Sequence, residues 1–259
     1  MQIPIYQIDA FASKPFEGNP AAVCPLDAWL PDEIMQAIAA ENNLAETAFF
    51  VATDNGYHIR WFTPTTEVKL CGHATLASAY VLFNLLGHDK PQIIFDSLSG
   101  PLVVKQNGDW LAMDFPAQTP RPCETPAAIV EAFARTPSAC LKAEDYIVIF
   151  ADEDTVRSAQ PDLVKLKQLD LRGVAISAAA RDHDFICRFF APNYGIDEDP
   201  VTGSAYTQLV PYWSNVLHKT DFMARQVSNR GGDVKSSLAG DRVIIAGKAV
   251  LFLTGHIDI

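Results

Sequence analysis

The chain has 259 residues, of which 49% are hydrophobic and 20% charged, as expected for a globular protein with a sizeable core. The formal net charge is −11 and the pI is about 4.9. Such an acidic chain, without a basic patch, is expected to bind neither nucleic acid nor an anionic membrane. The N-terminus has no cationic segment before Asp9, so we expect no signal peptide.

The first part of the chain predicts short strands and two helices. Residues 2–10 alternate imperfectly between apolar and polar side chains, as in a half-buried strand. Pro31 opens a helical pattern that runs to Asn43. Further strands are predicted at 21–24, 46–51, 57–62, 91–95, 101–105 and 110–115.

The stretch 71–87 contains no Asp, Glu, Lys or Arg. Its small and apolar residues surround the whole helical circumference, which predicts a buried helix over 74–86 that is too short to span a bilayer. Gly72 and His73 stand at its N-terminus, where free backbone N–H groups and the helix dipole favour an anion. Gly87 is predicted to end the helix.

The second part repeats this plan after a proline-rich linker at 116–126. Helices are predicted at 127–134, 162–169 and about 204–217, the last kinked by Pro211. Strands are predicted at 146–150, 173–178, 185–190, 222–227, 234–238, 242–246 and 249–255.

An internal repeat relates the two parts. Residues 60–64 and 188–192 share Arg, Phe and Pro in the same order, and each is followed by a glycine and an uncharged helix. Aligning 48–51 with 174–177 makes Arg172 the counterpart of Glu46, and Thr202 stands opposite Cys71. We therefore expect two halves, 1–115 and 116–259, with the strand at 249–259 joining the first half. If a pseudo-two-fold relates them, both helix N-termini face one cleft suited to an anionic substrate.

Glu46 is the first candidate catalytic residue, because it begins an apolar strand and its counterpart is not a carboxylate. Beside apolar walls its pKa is expected to rise from about 4.3 towards roughly 6–7, which suits an acid/base. The alternative is a solvated carboxylate at a strand end. His73 either donates to a substrate or caps the helix, and Cys71 is either a reactive thiol or a small buried side chain.

Residues 197–204 place three carboxylates before the second buried helix. Asp199 is best placed to bind a substrate ammonium group, whereas Asp197 and Glu198 fit simple helix-start charges. Gly203 and Ser204 can hold a substrate carboxylate, with a plain N-terminal cap as the alternative for Ser204. Nucleotide, flavin and metal motifs are lacking, so no cofactor and no metal is expected. The five cysteines, odd in number and without a C-x-x-C pair, fit a cytoplasmic protein with reduced thiols.

These motifs together resemble the PhzF-like (phenazine biosynthesis-like) isomerase family, which shares the diaminopimelate epimerase fold. The resemblance covers nearly the whole chain, and its most specific motif is residues 198–205. It rests on Asp9-Ala10-Phe11 with Phe16-x-Gly18-Asn19-Pro20-Ala21, Glu46-Thr47-Ala48-Phe49, Phe62-Thr63-Pro64, Glu67, Gly72-His73 and Glu198-Asp199-Pro200-Val201-Thr202-Gly203-Ser204-Ala205. Gln226 and 230–232 match less strictly and receive no role.

The resemblance implies an α+β fold of two pseudo-symmetric halves, each a barrel-like mixed β-sheet around a central buried helix. It also implies Glu46 as the acid/base, with His73, Asp199 and Ser204 lining the site; Asn19 is a further candidate from the opening motif. The family chemistry is isomerisation without a cofactor, and the family suggests a homodimer.

The expected function is therefore a cofactor-independent isomerase that moves a proton between carbons of a small carboxylic or amino acid. One alternative is an amino-acid racemase or epimerase that uses Glu46 and Cys71, although Thr202 in place of a second thiol speaks against a two-thiol racemase. Another alternative is a non-catalytic protein that binds a small molecule.

Overall fold

The computed structural model describes residues 1–259 as a mixed α+β protein. The elements up to residue 116 are β1 (Gln2–Ala10), β2 (Asn19–Leu26), α1 (Asp32–Asn42), β3 (Glu46–Thr53), β4 (Gly56–Phe62), β5 (Glu67–Val68), α2 (Gly72–Asn84), β6 (Gln92–Asp96), β7 (Leu102–Asn107) and β8 (Trp110–Pro116). They are followed by β9 (Arg121–Pro122), α3 (Ala127–Phe133), β10 (Ala139–Lys142), β11 (Tyr146–Ile149), α4 (Glu153–Ser158), α5 (Leu163–Leu166), β12 (Val174–Ala179), β13 (Phe185–Ala191), a 3₁₀ turn (Pro192–Tyr194), β14 (Ile196–Asp199), α6 (Gly203–Leu217), β15 (Asp221–Gln226), β16 (Gly232–Ala239), β17 (Arg242–Gly247) and β18 (Ala249–Asp258). No helix combines the length and apolar character needed to cross a bilayer.

The chain divides into two compact units. Unit 1 comprises Met1–Asp114 and Ala246–Ile259, and unit 2 comprises Phe115–Ile245. In unit 1 the strands pair in the order β18, β1, β2, β3, β4, β6, β7, β8. The β2–β3 and β4–β6 pairs are parallel and the others antiparallel. Helix α1 makes the β2–β3 crossover and buries Met35 and Ile38 in a cluster with Phe49 and Phe62.

Helix α2 lies inside unit 1, packed against β1, β2, β3, β7 and β18. Its residues from His73 to Leu82 are buried apart from Tyr80. The hydroxyls of Thr75 and Ser78 donate to backbone carbonyls one turn earlier, at 2.6 and 2.8 Å, so neither is left unsatisfied by burial. The prediction of a buried helix is confirmed. The prediction that Gly87 ends it is wrong, because the helix ends at Asn84 with Leu85 as its C-cap.

In unit 2 the strands pair in the order β9, β10, β11, β12, β13, β15, β16, with β11–β12 and β13–β15 parallel. Helix α6 packs against β16 and runs through Pro211 without interruption. Proline has no N–H to donate to the carbonyl of Thr207, four residues earlier. The backbone N–H of Gln118 donates to that carbonyl instead, at 2.9 Å. This bond replaces the one that the helix lacks.

The strand pairing corrects the repeat alignment by one residue. Thr47 on β3 pairs with Phe62, and Val174 on β12 pairs with Phe190, which holds the place of Phe62 in the second motif. Gly173, and not Arg172, is therefore the backbone counterpart of Glu46. Gly72 and Gly203 both begin their helices, so Thr202 remains the counterpart of Cys71.

The turn between β1 and β2 depends on Gly18. Asp9 accepts the backbone N–H of Phe16 at 2.9 Å, and Gly18 has a φ of +66°. A Cβ on Gly18 would lie 2.0 Å from the carbonyl oxygen of Ala10, a contact that requires the backbone to move. The turn therefore requires glycine for two reasons, conformation and close approach.

We expect Gly18→Ala to destabilise the protein well beyond the effect of Gly240→Ala. Gly240 has a φ of +64°, but a Cβ on it would meet no atom within 4 Å, so its substitution costs about 1–2 kcal/mol of backbone strain. The clash at Gly18 should add about 2 kcal/mol or more to the loss in free energy of unfolding. Urea denaturation followed by circular dichroism measures both variants. Equal losses would show that close approach does not matter at Gly18.

Candidate active site

The N-terminus of α2 brings together three side chains that the sequence singled out. Glu46 begins β3, Cys71 is the N-cap of α2 and His73 is the second helical residue. His73 Nε2 lies 3.1 Å from Glu46 Oε2, and His73 Nδ1 lies 3.6 Å from Cys71 Sγ. The imidazole ring therefore stands between the carboxylate and the thiol, with one nitrogen facing each.

Burial makes this cluster unusual. Cys71 and His73 are buried, and the Glu46 side chain is 14% exposed. Glu46 Oε2 and His73 Nε2 are in ion-pair contact, yet neither atom has a well-aligned hydrogen bond. Buried polar atoms are seldom left in this state. The pair thus retains hydrogen-bonding capacity for a ligand.

Charge assignments follow from the surroundings. Burial raises the pKa of Glu46, but the charge of His73 and the hydrogen bonds from His73 and Cys71 together outweigh burial, so the pKa lies below the usual 4.5. Burial lowers the pKa of His73, but Cys71 and Glu46 outweigh it and raise the pKa well above 6.5. Burial and the Glu46 charge raise the pKa of the Cys71 thiol to about 11. At neutral pH the cluster holds a carboxylate, an imidazolium and a neutral thiol.

The expected rise of the Glu46 pKa towards roughly 6–7 is therefore wrong, because the pKa is lowered instead. That expectation considered apolar walls alone. In the structure burial is the largest single influence on this pKa, but the charge of His73 and hydrogen bonds from His73 and Cys71 together exceed it. The solvated-carboxylate alternative also fails, since Glu46 is largely buried.

The same three residues are the group that could hold a metal ion. One ligand atom from each of Glu46, Cys71 and His73 falls within 4.8 Å of the others, and carboxylate, thiolate and imidazole are all ligands of zinc. However, a histidine ring coordinates through one nitrogen, and here its two nitrogens face different partners. The arrangement fits proton transfer along the ring better than shared coordination.

Asn19 lies on the strand next to Glu46. It begins β2, is fully buried, and sits two residues before Ala21, which pairs with Glu46 across the parallel β2–β3 ladder. Residues two apart share a face of a strand. The structure therefore places Asn19 on the neighbouring strand, within unit 1.

In unit 2, the loop before α6 is held by a glutamine that the sequence reasoning left without a role. Gln226 is fully buried; its Oε1 accepts the N–H of Thr202 at 2.9 Å, and its Nε2 donates to the carbonyl of Asp199 at 2.7 Å. The Asp199 carboxylate accepts the Thr202 hydroxyl at 2.5 Å. Gln226 therefore fixes the backbone that presents Asp199 and Gly203. Gln226 lies 24 residues from Thr202 and 27 from Asp199 along the chain, so no local sequence pattern indicates these contacts.

Ser204 has a charged partner that the sequence did not reveal. Arg172 donates a hydrogen bond to the Ser204 hydroxyl at 3.0 Å. It also donates to both carboxylate oxygens of Asp145, at 2.9 and 2.6 Å. Asp145 is fully buried and also accepts from Gln208 at 2.6 Å. Ser204 is the second residue of α6, so the plain N-cap alternative is wrong; the N-cap is Thr202.

Glu198 also differs from its expected role as a helix-start charge. Arg188, which is buried, donates to both Glu198 carboxylate oxygens at 2.7 and 2.9 Å. In unit 1, Arg60 makes the equivalent double contact with Glu67, at 2.8 Å each. In each unit, this pair ties the segment before the buried helix to the strand behind it. Asp197 is exposed, as expected.

Comparison with known proteins agrees with the fold. Residues 8–255 match the PhzC-PhzF family, described as phenazine biosynthesis-like protein. An uncharacterized isomerase of Pseudomonas aeruginosa is 52% identical over 259 residues, covering 100% of both chains. A PhzF-family crystal structure from Enterococcus faecalis has 43% identity and a TM-score of 0.98, with 100% of both chains covered.

A more distant structure shows the same fold. A hydroxyproline epimerase from Agrobacterium vitis has 9% identity and a TM-score of 0.62, covering 99% of this chain and 92% of that one. Its similarity concerns architecture alone. Together these matches confirm the predicted fold class, an α+β protein of the diaminopimelate epimerase type.

We expect the Glu46–His73 pair to stabilise the fold most strongly between about pH 4.5 and pH 6.5. The lowered carboxyl pKa contributes stability that is present above 4.5 and lost as the pH falls. The raised imidazole pKa contributes stability that is present below 6.5 and lost as the pH rises through the folded-state value. The measurement is the difference in free energy of unfolding between wild type and Glu46→Gln from well below pH 4.5 to well above pH 6.5, and we expect this difference to shrink at both ends. A difference independent of pH would contradict the ion pair, and the exposed Glu41→Gln serves as control.

Arg172→Ala should lower the free energy of unfolding by about 3 kcal/mol, because it leaves the buried Asp145 carboxylate without its cationic partner. In a double-mutant cycle with Asp145→Ala, the coupling should be about 2 kcal/mol. Arg181→Ala is the matched control: that side chain is 72% exposed and also bound to carboxylates, so its loss should cost under about 1 kcal/mol. Equal losses for the two arginines would contradict the role of Arg172.

Proposed function

Because the chain belongs to the phenazine biosynthesis-like (PhzC-PhzF) family and is an isomerase, we propose that it moves a proton between carbons of a small carboxylic or amino acid without a cofactor. The observation that carries the proposal is the buried contact between the Glu46 carboxylate and His73 at the N-terminus of α2. Glu46 takes the proton from one carbon and returns it to another. A homodimer, suggested by the family resemblance, stays a prediction.

Glu46 is ionised at neutral pH and therefore available as a base. A proton taken from carbon leaves a carbanion or enolate, whose negative charge needs electrostatic stabilisation. The imidazolium of His73 and the free N–H groups of the first turn of α2 provide positive potential beside Glu46. Base and stabilising groups thus lie in one buried cluster.

The compactness of the cluster favours one base over two. Racemisation by two bases requires groups that approach a carbon from opposite faces. Glu46 and Cys71 offer ligand atoms within 4.8 Å of each other and of His73, so they approach a substrate from the same side. This supports transfer along one face of the substrate by Glu46 alone, and it disfavours the racemase that pairs Glu46 with Cys71. The thiol pKa of about 11 also makes Cys71 a poor base.

For substrate binding we propose Gly72 and His73 in unit 1, and Asp199, Gly203 and Ser204 in unit 2. Arg172 holds the Ser204 hydroxyl in place, and the free N–H groups in the first turn of α6 favour a carboxylate there. The Asp199 carboxylate suits an ammonium or hydroxyl group. An amino or hydroxy acid combines both kinds of group.

The test is carbon-bound deuterium incorporation in heavy water, with a panel of small amino, hydroxy and unsaturated acids read by mass spectrometry. We expect one class to exchange, and Glu46→Gln to slow that exchange about 100-fold or more. Glu41→Gln, an exposed carboxylate in the same unit, should exchange at the wild-type rate, and Cys71→Ser should have little effect.

Two results would redirect the proposal. Exchange that survives Glu46→Gln but vanishes in Cys71→Ser would favour the thiol-dependent racemase. A panel member that binds wild type and Glu46→Gln equally, with no exchange in either, would favour the non-catalytic binding protein.

A further inference from the structure

Two cysteines outside the proposed site face each other in unit 2. Strands β9 and β10 are antiparallel, with Pro122 opposite Leu141, and the same register sets Cys123 opposite Cys140. The Cys123 N–H donates to the Cys140 carbonyl at 3.0 Å, which shows that the pairing continues to this position. The two Sγ atoms are 3.7 Å apart.

This spacing suits a covalent bond. Residues that form a hydrogen-bonded antiparallel pair have Cα atoms about 5.5 Å apart, within the range found for disulfides. The sulfur atoms already touch, so bond formation needs a side-chain rotation rather than a movement of the strands. The other three cysteines are Cys24, Cys71 and Cys187, and all are buried.

Access differs between the two partners. Cys140 is buried in the core cluster that contains Ile129, Phe133 and Val148, with Cys123 packed against it. Cys123 is partly exposed, and it is the one cysteine of the chain that is not buried. An oxidant in solution therefore reaches the Cys123 thiol first, and the Cys140 thiol lies in contact with it on the buried side.

We propose that Cys123 and Cys140 form an oxidation site that a hydroperoxide converts to an intramolecular disulfide. The Cys123 thiolate attacks the peroxide O–O bond, giving a sulfenic acid and releasing the other oxygen as water or an alcohol. Cys140 then attacks the sulfenic sulfur and loses its proton, and the hydroxyl leaves as a second water. Two thiols are oxidised by two electrons and one peroxide is reduced by two.

The disulfide would close a loop that contains α3. The loop from Cys123 to Cys140 spans 18 residues. Closing it restricts the unfolded chain and stabilises the fold. For a protein of this size we expect the midpoint of thermal unfolding to rise by about 5 °C. The bond would also tie the proline-rich segment 116–126 to β10.

The experiment treats the full-length protein with hydrogen peroxide, followed by thiol titration, intact mass and peptide mapping without reduction. We expect the thiol count to fall from five to three, a mass loss of two hydrogens and one cross-linked peptide pair containing Cys123 and Cys140. Dithiothreitol should reverse all three changes, and the thermal midpoint should follow them.

Cys123→Ser is the matched variant, since that position is partly exposed and the change should leave the fold intact. It should form no cross-link and show no rise in thermal midpoint. Cys140→Ala tests the second thiol: Cys123 should then stop at a sulfenic acid, which dimedone traps and which otherwise oxidises further to a sulfinic acid. A disulfide between other cysteines would overturn the proposal, as would a wild-type Cys123 that oxidises to a sulfinic acid without cross-linking.

Discussion

A helix buried on every side must satisfy its polar groups without water, and this constraint shapes the α2 end of unit 1. Hydroxyls inside the helix bond to its own carbonyls. At the N-terminus, Glu46 and His73 are both charged because each sits beside the other. An isolated buried charge costs several kcal/mol, so neither residue would keep its charge if the other were removed.

Unit 2 meets the same constraint with different chemistry. The N-terminus of α6 carries Ser204 in the place of His73, and the charge beside it is the guanidinium of Arg172, neutralised by the buried Asp145. The Arg60–Glu67 and Arg188–Glu198 pairs hold equivalent positions in the two units. The repeat therefore preserves the supporting framework, whereas the groups at the helix N-termini have diverged. This asymmetry agrees with the proposal of a single base, Glu46.

Regular patterns allowed most of the fold to be predicted. The uncharged runs located both buried helices within two residues, because lack of charge around a whole helix has one common structural cause. Alternation and turn residues predicted the positions of most strands. The short strands β5, β9, β10 and β14 were not predicted, because two to four residues are too few to show an alternating pattern. The repeat alignment was off by one residue, since matching similar side chains does not define ladder register.

The candidate site was less predictable, because its key contacts join distant residues. Gln208 and Asp145 are 63 positions apart, and no local pattern marks a glutamine as the partner of a buried aspartate. The clustering of Glu46 with His73 followed from motif positions, but the charge state did not. Sequence shows that a carboxylate starts an apolar strand, whereas its pKa depends on which atom lies about 3 Å away.

The ion pair also bears on how a weak base could abstract a proton from carbon. A carboxylate with a lowered pKa has little affinity for a proton, so Glu46 is a weak base while it is paired with His73. Under the proposed function, a substrate carboxylate bound at the N-terminus of α2 would compete for His73 and add negative charge beside Glu46. Both effects weaken the attraction that lowers the Glu46 pKa and leave burial, which raises it. Under the proposed function, an anionic substrate would therefore raise the pKa of its own base, whereas a molecule without an anionic group would leave Glu46 paired with His73.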